Sequence, residues 1–280
     1  MLRGWVEKRD EYRMRNLLNT RKTVEQLNII DDVFFQKMAE DIGFCEELLS
    51  TVLQQNVIVE EVIPQNSIKN LQGRSVILDA YCLLEDGRRC NVEVQKADND
   101  NHVRRVRYNA SCLTANITDP GVDFKDIPNV IVIFISKFDI FKANKTIYHI
   151  DRVVREVGCV NDNGLQEIYV NTKIDDNSTV AELMRIFKEE NAYDFEKFPK
   201  TSERKKYFKK REGGKQDMCE IVENYAKEYA KEYAKEYAKE YAKRFKKLTE
   251  LLTLAGRTDD LLLAVRDEAV CEKLFLEFGL

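Results

Sequence analysis

Residues 129–135 limit the fold of this chain more than any other short segment. They read NVIVIFI, with six apolar side chains, five of them β-branched. Such a run predicts a strand covered on both faces, because a strand with one face in water alternates apolar and polar residues. A chain of 280 residues with 44% hydrophobic content is long and apolar enough for the sizeable core that this strand requires.

The hydrophobic pattern around this strand predicts an α/β or, more narrowly, an α+β domain with a mixed central sheet. Apolar residues at helical spacing indicate one or two helices between residues 33 and 55, and another helix over 101–116. Short β-rich segments indicate a strand at 57–63 and two more within 76–95. The order of the core is therefore α, β, β, β, α, β.

A tandem repeat dominates the second half of the chain. Tyrosines recur every four residues from Tyr225 to Tyr241, among Ala, Lys and Glu residues that favour a helix. A step of four residues advances about 400° around a helix, so the tyrosine stripe drifts by about 40° per repeat. This helix could be a rigid spacer, a tract of little function, or a coiled-coil-like surface that forms a homo-oligomer. We divide the chain into an N-terminal polar segment (1–22), a main domain (23–212), a long helix (215–255) and a small helical tail (256–280), with Gly213 and Gly214 as the break before the helix.

No segment predicts membrane insertion or secretion. The longest fully apolar run, 130–135, is far too short to cross a bilayer, and the charged start of the chain does not resemble a signal peptide. We therefore expect a cytoplasmic protein without a membrane partner. Only two histidines are present, which argues against a histidine-based zinc site or catalytic triad.

One hairpin carries an acidic residue inside an apolar strand. Asp79 lies in the segment VILDA, and the next strand carries Glu93 and Gln95 on one face. An unpaired carboxylate in such surroundings is costly to desolvate unless hydrogen bonds or a cation compensate it. An edge hairpin with solvated charges would give the same pattern, so the position of Asp79 relative to Glu93 decides the interpretation.

The turn between these strands sets that position. A two-residue loop at Asp86 and Gly87 would place Asp79 and Glu93 on opposite faces. A three-residue loop, with Gly87 in the left-handed conformation as a bulge, would place Asp79 opposite Glu93, at about 5 Å between β-carbons. We predict the three-residue loop. Two carboxylates at this distance can hold Mg²⁺ or Mn²⁺, and such an ion supports phosphodiester hydrolysis.

The charge distribution adds a candidate nucleic-acid surface. The net charge is -4, yet residues 197–215 contain nine basic side chains and two acidic ones, with Tyr207 and Phe208 among them. This basic block could grip a phosphate backbone, or it could be a solvated helix face. A second basic cluster, Arg104, Arg105 and Arg107, follows the acidic hairpin.

Over residues 22–224 the chain resembles the Rpn family of recombination-promoting nucleases and transposases, within the PD-(D/E)XK nuclease superfamily. The resemblance is carried by the acidic hairpin and by five other stretches: NIIDDVFFQKM, RRVRYNASCL, YHIDRVVREVG, NGLQEIYVN and RKKYFKKREGGKQDMCEIVE. It implies a nuclease-like αβββαβ core, a Mg²⁺ or Mn²⁺ cofactor and DNA as partner. The proline that names the superfamily is absent, since Leu78 precedes Asp79.

The resemblance also implies roles for single residues. Asp79 and Glu93 would be the metal-binding acids, with the Val94 carbonyl as a further ligand. Gln95 stands where the superfamily has lysine; it would orient the attacking water or a phosphate oxygen. Lys96, next to it, would point to the opposite face. A further acid from the first helix would be Glu46 or Glu47.

The implied activity is metal-dependent DNA endonuclease chemistry linked to recombination or mobile elements. Arg104, Arg107 and Tyr108, on the helix that follows the site, would contact the nucleic acid, although arginines there could simply be solvated. The alternative is a protein whose nuclease core has decayed and which acts as a DNA-binding or oligomeric scaffold.

Overall fold

The computed structural model describes residues 24–69, 74–98 and 101–280, so the predicted polar segment 1–22 lies outside the described residues. The helices are α1 (Asp32–Ala39), α2 (Ile42–Leu53), α3 (His102–Ile117), α4 (Thr179–Lys188), α5 (Pro199–Lys210), α6 (Glu212–Leu254), α7 (Thr258–Arg266) and α8 (Glu268–Glu277). The strands are β1 (Val59–Ile68), β2 (Val76–Leu84), β3 (Arg89–Gln95), β4 (Val130–Ser136), β5 (Ile147–Ile150), β6 (Val153–Val154), β7 (Cys159–Val160) and β8 (Leu165–Asn171).

Six strands form one mixed sheet in the order β1-β2-β3-β4-β8-β5. Strands β3, β4 and β8 run parallel to one another, and the remaining neighbours are antiparallel. Every residue of β4 is buried, as the apolar run predicts. The α+β architecture and the order α, β, β, β, α, β are confirmed.

Helices cover both faces of this sheet, and β4 divides its side chains between them. Ile131 and Ile133 pack with phenylalanines of α1, α2 and α4 on one side. Val132 and Phe134 pack with the inner face of α3 on the other side. Because both faces are covered, β4 has no polar side chain before Ser136 at its end.

The edge strand β1 runs past the proline inside its sequence. Pro64 pairs with Ala80 of β2, and the strand continues to Ile68. A proline has no N–H to donate, so it is tolerated where a strand has one neighbour only. Gln65, directly after it, has a positive φ of 52°.

The expected break at Gly213 and Gly214 does not occur. Both residues lie in the first turn of α6, which begins at Glu212 directly after α5 and its C-cap. A side chain on Gly214 would collide with the carbonyl oxygen of Tyr207. The glycine therefore allows a close approach between two helices and does not act as a linker.

The chain forms two compact units, one ending at Val222 and the other covering Glu223–Leu280. The second unit has a small core in which Leu248 packs with Phe275. The guanidinium of Arg244 lies 4.1 Å from the centre of the Phe275 ring and donates a hydrogen bond of 3.1 Å to the Leu280 carbonyl. Among the described residues, no helix is long and apolar enough to cross a membrane.

Within the repeat, the side chains of Tyr229, Tyr233 and Tyr237 lie outside the described part of the chain. Tyr225 is 42% exposed, and the Tyr241 ring meets Phe275 edge-on. Self-association through this helix therefore stays a prediction.

Candidate active site

The turn between β2 and β3 has the predicted three-residue form. Leu84 donates its N–H to the Arg88 carbonyl at 3.0 Å, and Gly87 donates to the Leu84 carbonyl at 2.9 Å. Gly87 has a φ of 84°, in the left-handed region that glycine adopts readily. The Asp86 carboxylate accepts the Arg88 N–H at 3.1 Å. These local bonds fix the register of the whole hairpin.

This register brings Asp79 beside Glu93. The β2–β3 ladder includes the pair Ala80 and Val92, and one further step along the register sets Asp79 across from Glu93. The backbones of Asp79 and Glu93 do not form a ladder pair. Instead, the Val94 N–H donates to Asp79 Oδ2 at 2.9 Å. The acid thus occupies the place that the backbone of β2 leaves free.

A bend in the outer strands explains why β2 leaves β3 at this point. Pro64 and Asn66 of β1 pair with Ala80 and Leu78 of β2. Between them, Gln65 has its positive φ at the level of Asp79. Ala80 packs with the core on the α1 side, whereas Leu78 packs on the α3 side. The change of face between these two residues turns Asp79 towards the end of β3.

Desolvation raises the pKa of both carboxylates, of which Glu93 is fully buried and Asp79 half-buried. Burial, followed by the negative charge of Glu93, raises the pKa of Asp79 well above its ordinary value, against the Val94 N–H and Arg105. Burial also raises the pKa of Glu93, which is 0% exposed, while Arg105 and the Asn91 amide oppose the rise. The negative charge of the two carboxylates is therefore only partly neutralised by nearby cations.

Arg105 supplies the positive charge that the pair does have. Its guanidinium donates to Glu93 Oε2 at 2.8 Å and to Gln95 Oε1 at 2.7 Å. The Gln95 amide nitrogen in turn donates to the Ala97 carbonyl at 2.8 Å. Sequence reasoning noted Arg105 in a basic cluster but gave it no role. Its signal was its spacing on α3, three residues after the buried His102 and four before the buried Asn109.

A third acid reaches the site from α1. Asp32 lies in the first turn of that helix, and its charge contributes to the raised pKa of Asp79. Asp32 is exposed, but partial desolvation by the surrounding protein raises its pKa; Arg105 opposes this effect, and Asp31 adds to it. The Lys96 ammonium lies 2.5 Å from Oδ1 of Asp31, the residue that precedes Asp32.

The acids expected from the first helix, Glu46 and Glu47, have other partners. Glu46 accepts the N–H of Val59 at 3.0 Å and so fixes the start of β1. Glu47 accepts the N–H groups of Lys200 and Thr201, at 3.0 and 2.8 Å, at the start of α5. Both carboxylates satisfy backbone donors that helix and strand ends leave open.

A groove of about 590 Å³ borders the candidate site along α3. Its lining includes Arg74, Ile77, Arg104, Arg105 and Tyr108. The Tyr108 hydroxyl donates to the Arg74 carbonyl at 2.5 Å and so holds the start of β2 against α3. Of the residues expected to contact nucleic acid, Arg104 and Tyr108 line this groove.

Arg107 is exposed, but it is not part of the groove lining. Two of the three residues named from the sequence, Arg104 and Tyr108, therefore border the groove, and Arg107 does not. Arg74, which lies two residues before β2, was missed because only the folded chain brings it to α3.

Three cations of the basic block at 197–215 have hydrogen-bond partners inside the fold. Lys205 is 0% exposed and donates to the carbonyls of Ile186 at 2.8 Å and Ala192 at 3.2 Å, and to that of Glu189. Burial, with help from the Lys209 charge, lowers the pKa of Lys205 to about 7.

Two further cations of the block also bind carbonyl groups of the fold. Arg204 donates to the Met38 carbonyl at 3.0 Å, at the end of α1, and Lys209 donates to the Glu25 carbonyl at 2.5 Å. These cations close helix ends and chain segments, where carbonyl groups have no partner of their own. Their charge is therefore turned inward.

Among residues 24–69, 74–98 and 101–280, no group of three or more His, Cys, Asp or Glu side chains is placed to hold a metal ion. The acidic pair is nevertheless a set of hard oxygen donors with excess negative charge, which suits a divalent cation of the Mg²⁺ class. The residues present therefore fit such an ion if backbone oxygen or water completes its ligands.

The αβββαβ core, with acids where β2 leaves β3, defines a PD-(D/E)XK nuclease-like domain. Residues 41–173 match the family model described as PD-(D/E)XK nuclease family transposase. This part of the chain is similar to that family, and the resemblance expected from the sequence is confirmed. The match includes Asp79, Glu93, Gln95 and Arg105 but not Asp32. The searches of curated proteins and of solved structures found no match.

Proposed function

We propose that this chain is a metal-dependent DNA endonuclease that hydrolyses phosphodiester bonds, in the context of recombination or mobile elements. One observation carries the proposal: the half-buried Asp79 and the fully buried Glu93 lie together at the end of β3, and their negative charges are only partly compensated. Such an arrangement costs stability, and it is typical of sites that bind a cation for function. The match of residues 41–173 to the nuclease family supports the same conclusion.

The proposed ion is Mg²⁺ or Mn²⁺, held by Asp79, Glu93 and the Val94 carbonyl. The N–H of Val94 points to Asp79, and the N–H and C=O of one strand residue point to the same side. The carbonyl is therefore directed to the gap between β2 and β3. When bound, such an ion neutralises charge on the phosphodiester and acidifies water.

Side chains around the acidic pair would position the reactants. Gln95 offers an amide that can orient water or a phosphate oxygen once its present partners release it. Asp32 adds a carboxylate from α1 that can accept a proton or hold a water molecule. Neither role requires Gln95 to replace the positive charge of the superfamily's lysine, because Arg105 lies within 2.8 Å of both Glu93 and Gln95.

The groove along α3 is the proposed place of the DNA backbone. Arg74 and Arg104 line it next to the site, and arginine binds phosphate oxygens with two donors at once. Tyr108 would contribute mainly by holding the groove wall, since its hydroxyl binds the Arg74 carbonyl. Arg107, on the exposed side of the same helix, would make at most a peripheral contact.

A plasmid-nicking assay with Mg²⁺ or Mn²⁺ tests the proposal. We expect wild-type protein to cleave, and Asp79→Ala and Glu93→Ala to lose about two orders of magnitude or more of the rate, as losses of key electrostatic groups do. Asp119→Asn, a substitution at an exposed acid, serves as the control. Cleavage that persists in both alanine variants would overturn the assignment of Asp79 and Glu93, and DNA binding without cleavage by wild type would favour the scaffold alternative.

A further inference from the structure

Arg105 holds a position that a metal ion would contest. Its two terminal nitrogens bind Glu93 and Gln95, the acid proposed as ligand and the amide proposed to orient water. In the described part of the chain, Arg105 is the one cation within ion-pair distance of Glu93. A divalent ion on Glu93 would meet this guanidinium directly, and like charges in a poorly solvated site repel strongly.

The surroundings of Arg105 allow its head to leave without unfolding the helix. Its side chain is 37% exposed, in contrast to Glu93, which is fully covered. Arg105 also lines the groove that contains Arg74 and Arg104. A change of side-chain rotamer can therefore move the guanidinium from the acidic pair into the groove, where a phosphate group would accept its hydrogen bonds.

We propose that Arg105 is an exchangeable cation. In the metal-free protein it neutralises Glu93 and holds Gln95; on metal binding it releases both groups and turns into the groove to bind a phosphate of the substrate. This inference rests on the proposed metal site. It makes Arg105 a positioning residue that competes with the ion for Glu93, in contrast to a permanent tie between α3 and β3.

The test is the affinity for Mn²⁺ alone, measured by isothermal titration calorimetry at slightly alkaline pH. Arg105→Gln removes the competing charge but keeps a polar side chain, so we expect it to bind Mn²⁺ about tenfold more tightly than wild type. Arg105→Lys keeps the charge but cannot bridge both partners, so its affinity should be intermediate. Arg107→Gln changes the charge of the same helix at an exposed position and should match wild type.

Each outcome has a distinct meaning. Tighter Mn²⁺ binding by Arg105→Gln than by wild type supports the exchange. Measurable binding by Arg105→Gln supports it as well if wild type binds Mn²⁺ too weakly to measure. Binding by wild type that is equal to or stronger than that of Arg105→Gln overturns the exchange but leaves the metal site intact. If neither protein binds Mn²⁺, both the exchange and the proposed metal site are wrong. Should Arg105→Gln not fold, Arg105→Lys decides between the same outcomes.

Discussion

The acidic pair leads to an unusual stability prediction: Asp79→Asn should make the metal-free protein more stable. The asparagine oxygen can still accept the Val94 N–H that Asp79 accepts now at 2.9 Å, while the charge next to Glu93 disappears. At about 5 Å, the usual spacing of cross-strand β-carbons, two full negative charges repel by about 3 kcal/mol at an effective dielectric constant of about 20. The attraction to Arg105 is lost as well, so we expect a net gain of about 1–2 kcal/mol.

The matching change at Glu93 should have the opposite sign. Glu93 accepts from the Asn91 amide at 3.0 Å and from Arg105 at 2.8 Å. A glutamine has one oxygen, so Glu93→Gln leaves one of these donors facing an NH₂ group. Relief of the repulsion from Asp79 offsets part of this cost. We expect a net loss of about 1–3 kcal/mol, because a buried ion pair has been broken from one side.

The pH dependence follows from the direction of the shift. The folded-state pKa of Asp79 is raised above the ordinary value of 3.8 that applies to the unfolded chain. At pH values between the ordinary and the folded-state pKa, Asp79 is ionised in the unfolded chain but protonated in the folded protein. Its contribution to stability is therefore fully present below the ordinary pKa, and it is lost as pH rises through the folded-state pKa. The advantage of Asp79→Asn should therefore be absent in acid and largest at neutral pH.

Differential scanning calorimetry in EDTA at neutral pH measures both variants, and it can separate transitions of the two compact units. For a domain of this size a change of 1 kcal/mol shifts Tm by about 2–4 °C. Asp119→Asn makes the same chemical change at an exposed position and should leave Tm unaltered. A lower Tm for Asp79→Asn, or shifts of the same sign for Asp79→Asn and Glu93→Gln, would refute this account of the site.

Three other changes probe the fold and the groove. Lys205→Met should lower the free energy of unfolding by about 2–4 kcal/mol in a denaturant titration, because buried carbonyls lose their donor; an unchanged midpoint would contradict the capping role. Gly214→Ala should destabilise by about 1–3 kcal/mol through its clash with the Tyr207 carbonyl, and a neutral result would mean that the helices can separate freely. Arg104→Ala should lower the salt dependence of DNA binding by about one phosphate contact; Arg107→Ala should lower it less, and equal effects would place the DNA outside the groove.

The hairpin register could be predicted from sequence because local chemistry sets it. Gly87 accepts a positive φ without strain, and Asp86 binds the backbone of Arg88 within the same turn. A period of two then carries the register along both strands as far as Ala80. The buried strand β4 was equally predictable, since a run of apolar β-branched residues has few alternatives to a covered strand.

The partners of the acids could not be predicted in the same way. Asp32 precedes Asp79 by 47 positions, and Arg105 follows Glu93 by 12. Which helix face meets the end of β3 depends on how the layers pack, and no local pattern specifies it. For the same reason Glu46 and Glu47, which lie on α2 before the acidic hairpin in the chain, bind backbone groups elsewhere.

The basic block shows why a count of charges does not locate a binding surface. Lys205 and Lys209 contribute to the local excess of positive charge, yet both ammonium groups bind backbone carbonyls inside the fold. Arg104 and Arg105 belong to a much smaller cluster and border the groove beside the acids. A cation can neutralise a phosphate only if its own hydrogen-bond donors are free or can be freed. Arg105 meets that condition through its exposed head, and Lys205 cannot, because its release would leave buried carbonyls without donors.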